Sequence, residues 1–261
     1  MESWLLKTAW PMTPPKPYSV FHILFAAGGI LAALSCAWAL RGRKEASVYK
    51  ILFLCGCTLA FSEVYKQLFL YVINGRRYDW WYFPFQLCSM PMYLCLLLPF
   101  LRGTFLEQPL LTFTRDFGLL GGIMALLEPS GLFHPYWVLT LHGLFWHIML
   151  IFLGLFLTFS RLTKKGMTGY LRTLPLLGIF CIAATFINTA THGQADMFYI
   201  APYYPVTQVV FDKISVLCGN GTGIMIYLLS ICAGGAICHI MLDHLSDRTA
   251  HRQNNGGYTH D

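Results

Sequence analysis

The 261-residue chain is 56% hydrophobic and only 11% charged, with a mean hydropathy of +0.55, whereas a soluble domain carries about 25% charged residues. That leaves too little polar surface to cover a water-soluble globule. A transmembrane helix takes about 20 apolar residues, so the length supplies about seven crossings with short connections and no separate soluble domain.

In chain order, residues 1–17 form an extracellular N-terminal segment. It carries Lys7, is interrupted by Pro11, Pro14 and Pro15, and lacks the pattern of a cleavable signal peptide. Apolar runs then predict membrane helices over 18–40, 48–73, 83–101, 116–132, 136–160, 167–190 and 217–242, an all-α, polytopic transmembrane domain covering 18–242. The fourth run has a short, glycine-rich core with Gly118, Gly121 and Gly122, which suits either a tilted span or a re-entrant segment. Residues 192–215 are too polar and proline-bearing to cross. The end, 243–261, with Asn254, Asn255, Gly256 and Gly257, reads as a disordered cytoplasmic tail.

Orientation follows from the bias of Lys and Arg toward cytoplasmic loops. Arg41, Arg43, Lys44, Lys50, Arg102, Arg115, Arg161, Lys164, Lys165, Arg172, Arg248 and Arg252 fall on one side, against Lys7, Lys16, Arg76, Arg77 and Lys213 on the other. The N-terminus is therefore expected outside and the C-terminus inside, in a multi-pass protein of the cell membrane. The net charge of +6 is a topology signal, and no nucleic-acid partner is expected. The nine cysteines lie almost all within apolar runs, where a free thiol packs as a small hydrophobe, so no disulfide framework is expected.

A strongly polar side chain inside a span costs about 2.5–3.5 kcal/mol on insertion scales and marks a functional candidate by default. Glu63, Lys66 and Gln67 lie toward the outer end of the second span, and Gln86, Cys88 and Ser89 at the outer start of the third. Glu128 closes the fourth, His142 and His147 lie in the outer half of the fifth, and Asn188, Thr191 and His192 close the sixth. The inner halves hold almost nothing comparable. Glu63 and Lys66, three apart on one helix face, also suit an ion pair that neutralises itself. His142 and His147 stand about 140° apart around a helix and cannot both face one centre squarely.

Cys88 falls about 8 Å below the outer surface and His147 about 12–16 Å, at 1.5 Å per helical residue. A thiol is nucleophilic as thiolate, which an adjacent histidine or a helix N-terminus favours. A Cys88–His147 dyad is one reading of these residues; packing is the other. The metal-binding spacings Cx2–4C and HExxH are absent, and neither a metal nor a cofactor is expected.

Phe83-Pro-Phe-Gln-Leu-Cys88-Ser, Leu127-Glu-Pro129, Pro135 with His147 twelve residues on, and Asn188 followed by Asp196-Met-Phe-Tyr-Ile200 resemble the YwaF-like bacterial integral membrane proteins. That family is distantly similar to the vertebrate acyltransferase transmembrane protein 164. The resemblance implies a seven-helix lipid-facing enzyme with its cysteine at Cys88 and its histidine at His147. It implies acyl transfer between phospholipid and lysophospholipid through an acylated cysteine. Gln86, Ser89 or His142 would then donate to the oxyanion, and Lys66 or Arg77 would hold a lipid phosphate. The competing reading is a transporter or ligand-binding protein whose polar pocket is built from Glu63, Lys66, Glu128 and His147.

Overall fold

In an apolar environment every backbone polar group needs a partner inside the chain, and a helix provides one. The computed structural model describes residues 2–256, and among them helices and 3-10 turns are the only regular elements, with one isolated bridge between Pro11 and Tyr136. The helices are α1 (Glu2–Lys7), α2 (Val20–Ala39), α3 (Glu45–Ile73), α4 (Met90–Leu97), α5 (Glu107–Leu127), α6 (Trp137–Ser160), α7 (Met167–Leu171), α8 (Leu174–Ala190), α9 (Phe211–Cys218) and α10 (Asn220–Gly256).

Among the described residues six stretches are long and apolar enough to cross a bilayer: α2, α3, α5, α6, α7 with α8, and α10 through Thr249. The expected third span is the exception. Its helical part runs Leu87–Phe100, about 21 Å at 1.5 Å per residue, against a hydrocarbon core of about 30 Å. Prolines set those limits, with Pro91 in the first turn of α4 and Pro99 in the closing 3-10 turn.

The fourth expected span also changes. Where the sequence suggests a short segment beginning near residue 116, α5 starts at Glu107 and runs 21 residues, so a re-entrant loop is not what forms. Arg115 and Asp116 lie inside the helix, and their charges are met by neighbouring elements. At the far end, α10 continues to Gly256, through much of the segment expected to be a disordered tail; residues 257–261 lie outside the described residues.

α5 is the most buried of the six long stretches. α6 lies against it on one side and against α2 on the other. Two glycines bring α5 and α6 close: a Cβ on Gly122 would stand 2.8 Å from the His147 carbonyl oxygen, and one on Gly154 would stand 3.0 Å from the Arg115 carbonyl oxygen. Small residues at such crossings let helix backbones approach where the surrounding lipid offers no hydrophobic driving force. α2, α8 and α10 expose large apolar side chains, among them Leu24, Leu31, Ile182, Phe186, Leu229 and Met241, as lipid-facing helices do. At the Cys88 end the N-terminal segment docks onto the bundle. Leu5 is buried, Thr8 hydrogen-bonds Tyr65, and Met12 N donates to Pro135 O at 2.9 Å.

Candidate functional site

Cys88 sits in a 3-10 turn, Leu87–Ser89, that leads into α4. Gln86 begins the turn: its backbone N–H donates to Ser89 Oγ at 3.4 Å, and Ser89 N donates to Gln86 O at 2.8 Å. The Gln86 side chain reaches outward instead. Its Nε2 donates to Asp196 O at 2.7 Å and its Oε1 accepts from Phe198 N at 2.8 Å. Asn188, fully buried, holds the same loop by accepting from Met197 N at 2.6 Å and donating to Met197 O at 3.0 Å. Asp196 closes the loop on itself, accepting from Ala201 N at 3.0 Å and Thr207 Oγ1 at 3.1 Å. Burial raises the Asp196 carboxyl above its ordinary range despite those two donors. Gln86 and, about a hundred residues on, Asn188 and Asp196 are thus one assembly fastened onto the Cys88 turn.

His147 is buried on α6, and its Nδ1 lies 2.7 Å from the Gly143 carbonyl oxygen. A carbonyl only accepts, so Nδ1 carries the proton and the neutral ring keeps its lone pair on Nε2. Neighbouring Trp146 donates from Nε1 to the Cys88 carbonyl oxygen at 3.0 Å. The two candidates also meet α5 at consecutive residues: a Cβ on Gly121 would lie 3.6 Å from Cys88 Cβ, and one on Gly122 would touch the His147 carbonyl. Among the described residues no hydrogen bond joins the Cys88 thiol to the His147 ring.

Glu63 is buried, with Lys66 Nζ at 2.8 Å, Gln67 Nε2 donating at 2.7 Å and His142 Nε2 at 3.8 Å. The ion pair suggested by the three-residue spacing therefore forms. Among the described residues His142 Nε2 is buried without a hydrogen-bond partner, and its ring lies 5.4 Å from that of Trp146. Desolvation, with Lys66 adding to it, holds the loop residue His134 below the ordinary imidazole value. Glu128 caps its own turn through Ser130 N, at 3.3 Å, and the Ser130 hydroxyl; its observed hydrogen bonds stay within that turn.

A second polar cluster, at the opposite end of the bundle, overturns the expectation that those halves are empty. Arg115 is 1% exposed and Asp116 0%, and a charge buried to that degree must be paired. Arg115 Nε meets Asp116 Oδ1 at 2.7 Å, and Nη1 meets Thr163 Oγ1 and Asp243 Oδ1 at 2.8 Å each. Its Nη2 lies 2.7 Å from His239 Nδ1, and His239 Nε2 lies 3.0 Å from Gly166 O. Arg115 was counted among loop cations because the expected span began one residue later. The signal available was the adjacent Arg115-Asp116 pair with His239 and Asp243 four apart on the last span. Trp146, whose indole reaches the Cys88 carbonyl oxygen, gives no signal in the sequence beyond one more aromatic in an apolar run.

Residues 17–242 match the model of the TMEM164 family. That is the more distant of the two groups the sequence motifs resemble. No curated protein and no solved structure matches.

Proposed function

Because the chain belongs to the TMEM164 family and is an integral membrane protein by its long apolar helices, we propose that it is a cysteine-dependent phospholipid acyltransferase. One observation carries the reading: the turn bearing Cys88 and the helical turn bearing His147 converge on the consecutive glycines Gly121 and Gly122, with Trp146 tying one to the other. We place the site in the outer half of the cell membrane, with the N-terminus outside, the C-terminus inside and the short α4 segment as a seventh, incomplete crossing.

His147 Nε2 takes the Cys88 proton, and the thiolate adds to an ester carbonyl of a phospholipid. Collapse forms the thioester and expels lysophospholipid, which takes the proton back from His147. A second lysolipid hydroxyl, deprotonated by His147, then receives the acyl chain and restores the thiol. Lys66, paired with the Glu63 that lies beside His142, holds a phosphate in exchange for part of its contact with Glu63.

The test is peptide mass spectrometry of purified protein incubated with mixed phospholipids. A hydroxylamine-sensitive acyl adduct on the Cys88 peptide, absent in Cys88→Ala and His147→Ala, is expected. Folded protein that stays unmodified across a broad lipid mixture sinks the proposal and favours a transport or binding role.

A further inference from the structure

Acyl transfer between two phospholipids needs places for two headgroups at the Cys88 end, and in that reading Lys66 provides for one. A second place lies where the loop between α3 and the Cys88 turn meets the 191–201 loop. Arg77, Tyr78, Asp79, Trp80 and Trp81 from the first and Gln194 from the second line an open cleft of about 530 Å³, within the size range of small-molecule sites. Both walls lead to the Cys88 turn. The Trp80 ring lies 5.8 Å from that of Phe83, five residues before Cys88. The Gln86 amide fastens the other loop, whose chain turns back through the left-handed region at Phe198, φ +58°. Aromatic residues at such a boundary read first as an interfacial belt, and a belt accounts for exposed rings. It does not account for the charges set among them. Tyr78 and Trp80 meet at 75° with ring centroids 5.0 Å apart, two walls of a corner of the kind that holds an alkylammonium. Asp79 Oδ1 accepts from Trp81 N at 3.0 Å, which fixes the carboxylate in the cleft wall. Arg77 lies in the same wall, and among the described residues no ion pair joins it to Asp79. Opposite charges that share a cleft without neutralising each other complement a ligand that carries both signs.

We propose that this cleft binds the headgroup of a zwitterionic glycerophospholipid, with Arg77 on the phosphate and Asp79, Tyr78 and Trp80 around the ammonium. The guanidinium offers a fork of N–H donors to phosphate oxygens, and the ammonium rests against ring faces beside the carboxylate. An anionic headgroup without an ammonium satisfies Arg77 but sets its charge beside Asp79. The net charge of +6 attracts anionic lipid to the chain in general, so a preference for zwitterions is a signature that general attraction does not produce. As the place of a substrate, the cleft rests on the acyl-transfer reading above; as a binding site it is tested without it.

The experiment equilibrates the purified full chain in detergent with equal amounts of phosphatidylcholine, phosphatidylethanolamine and phosphatidylglycerol of identical acyl chains. Bound lipid is counted by native mass spectrometry, and hydroxylamine-sensitive acylation of Cys88 is measured on the same samples. The native protein and Cys88→Ala are expected to hold both zwitterions in preference to phosphatidylglycerol. Trp80→Leu should lower bound phosphatidylcholine relative to phosphatidylglycerol by about 2–30-fold, the range of one cation–π contact. Asp79→Asn, which keeps a cap for Trp81 N, should lower both zwitterions relative to phosphatidylglycerol, and Arg77→Gln should lower all three lipids together. No preference in the native protein, a preference that Asp79→Asn and Trp80→Leu leave intact, or an equal fall of all three lipids in those two variants overturns the assignment. Headgroup preference without acylation of Cys88 overturns the acyl-transfer reading and leaves the binding site standing; acylation without headgroup preference does the reverse.

Discussion

Gly121 and Gly122 are neighbours on α5, yet the same substitution should act on them in opposite ways. A Cβ on Gly122 would stand 2.8 Å from the His147 carbonyl oxygen, 2.8 Å from Ile151 Cγ1 and 3.2 Å from Ile151 N. Carbon contacts are best at about 3.5–4.0 Å, so α6 would have to withdraw by about 1 Å. Two of those three atoms are backbone and cannot rotate away. Overpacking of this kind costs about 1–3 kcal/mol. On Gly121 the nearest atoms are Cys88 Cβ at 3.6 Å and Cys88 Cα at 3.8 Å, ordinary contact distances, and alanine gains up to about 1 kcal/mol over glycine within a helix. That gain is common to both substitutions and cancels between them, so Gly121→Ala should be more stable than Gly122→Ala by about 1–3 kcal/mol. Melting in detergent, read with a thiol-reactive dye that reports exposure of the buried Cys55 and Cys95, measures the difference. A Gly122→Ala protein that melts with the Gly121→Ala protein or above it, or a Gly121→Ala protein that melts below the native one, would refute the packing argument. Gly121→Ala should still lower acyl labelling at Cys88, since its methyl occupies the space beside that residue.

Arg115→Met leaves the buried Asp116 and the partly buried Asp243 without their cation, and the apparent melting point should fall by the equivalent of about 3–5 kcal/mol. Arg115→Lys should not rescue it, because an ammonium cannot reproduce the guanidinium fork that meets Asp116, Thr163, Asp243 and His239. Lys66→Met should destabilise by stranding the buried Glu63 carboxylate, and the double variant with Glu63→Gln should recover most of the loss; a double variant worse than the single one contradicts this. Asn188→Ala removes both bonds to Met197, at about 1–3 kcal/mol for each group left unpaired, and limited proteolysis should show faster cleavage within 191–210. Burial raises the Asp196 carboxyl above its ordinary 3.8, so the folded state holds that proton more tightly than the unfolded state. Its contribution to stability is complete below 3.8, declines as pH rises through the raised value, and is flat above it; a native-minus-Asp196→Asn melting difference that does not fall over that interval would count against the burial argument.

The apolar periodicity made most of the fold legible, because long runs around α2, α3, α6, α8 and α10 leave the chain no alternative to helix in lipid. It failed where tertiary pairing overrode local polarity. Arg115 and Asp116 look like the end of a loop until His239 and Asp243, more than a hundred residues away, are brought alongside. The third span was overextended because its hydrophobicity continues through Pro84, Pro91 and Pro99, whose effect is on geometry and not on hydropathy. At the candidate site, polar residues clustered at one end could be read from the sequence. What could not be read was that Gln86 and Asn188 act on the 196–198 loop, since neither long-range hydrogen bonds nor a left-handed backbone at Phe198 leaves a trace in residue type.

The two polar clusters differ in a way that bears on where chemistry can occur. Arg115, Asp116, His239 and Asp243 occupy each other through short contacts, and Thr163 and Gly166 take the remaining positions. A network so fully satisfied fixes α5 against α10, and opening it to a substrate would expose buried charge on both sides. At the other end His142 Nε2 is buried with no hydrogen-bond partner among the described residues, and His147 directs one ring nitrogen to its own helix, which leaves the other for a proton. Cys88 lies beside a glycine that leaves room for a neighbour. Polar groups held in place but incompletely satisfied are what a substrate can complete, and that asymmetry favours the Cys88 end as the reactive one. It also gives the clusters separable signatures: substitutions around Arg115 should lower stability and acyl labelling together, whereas Cys88→Ala should abolish labelling alone.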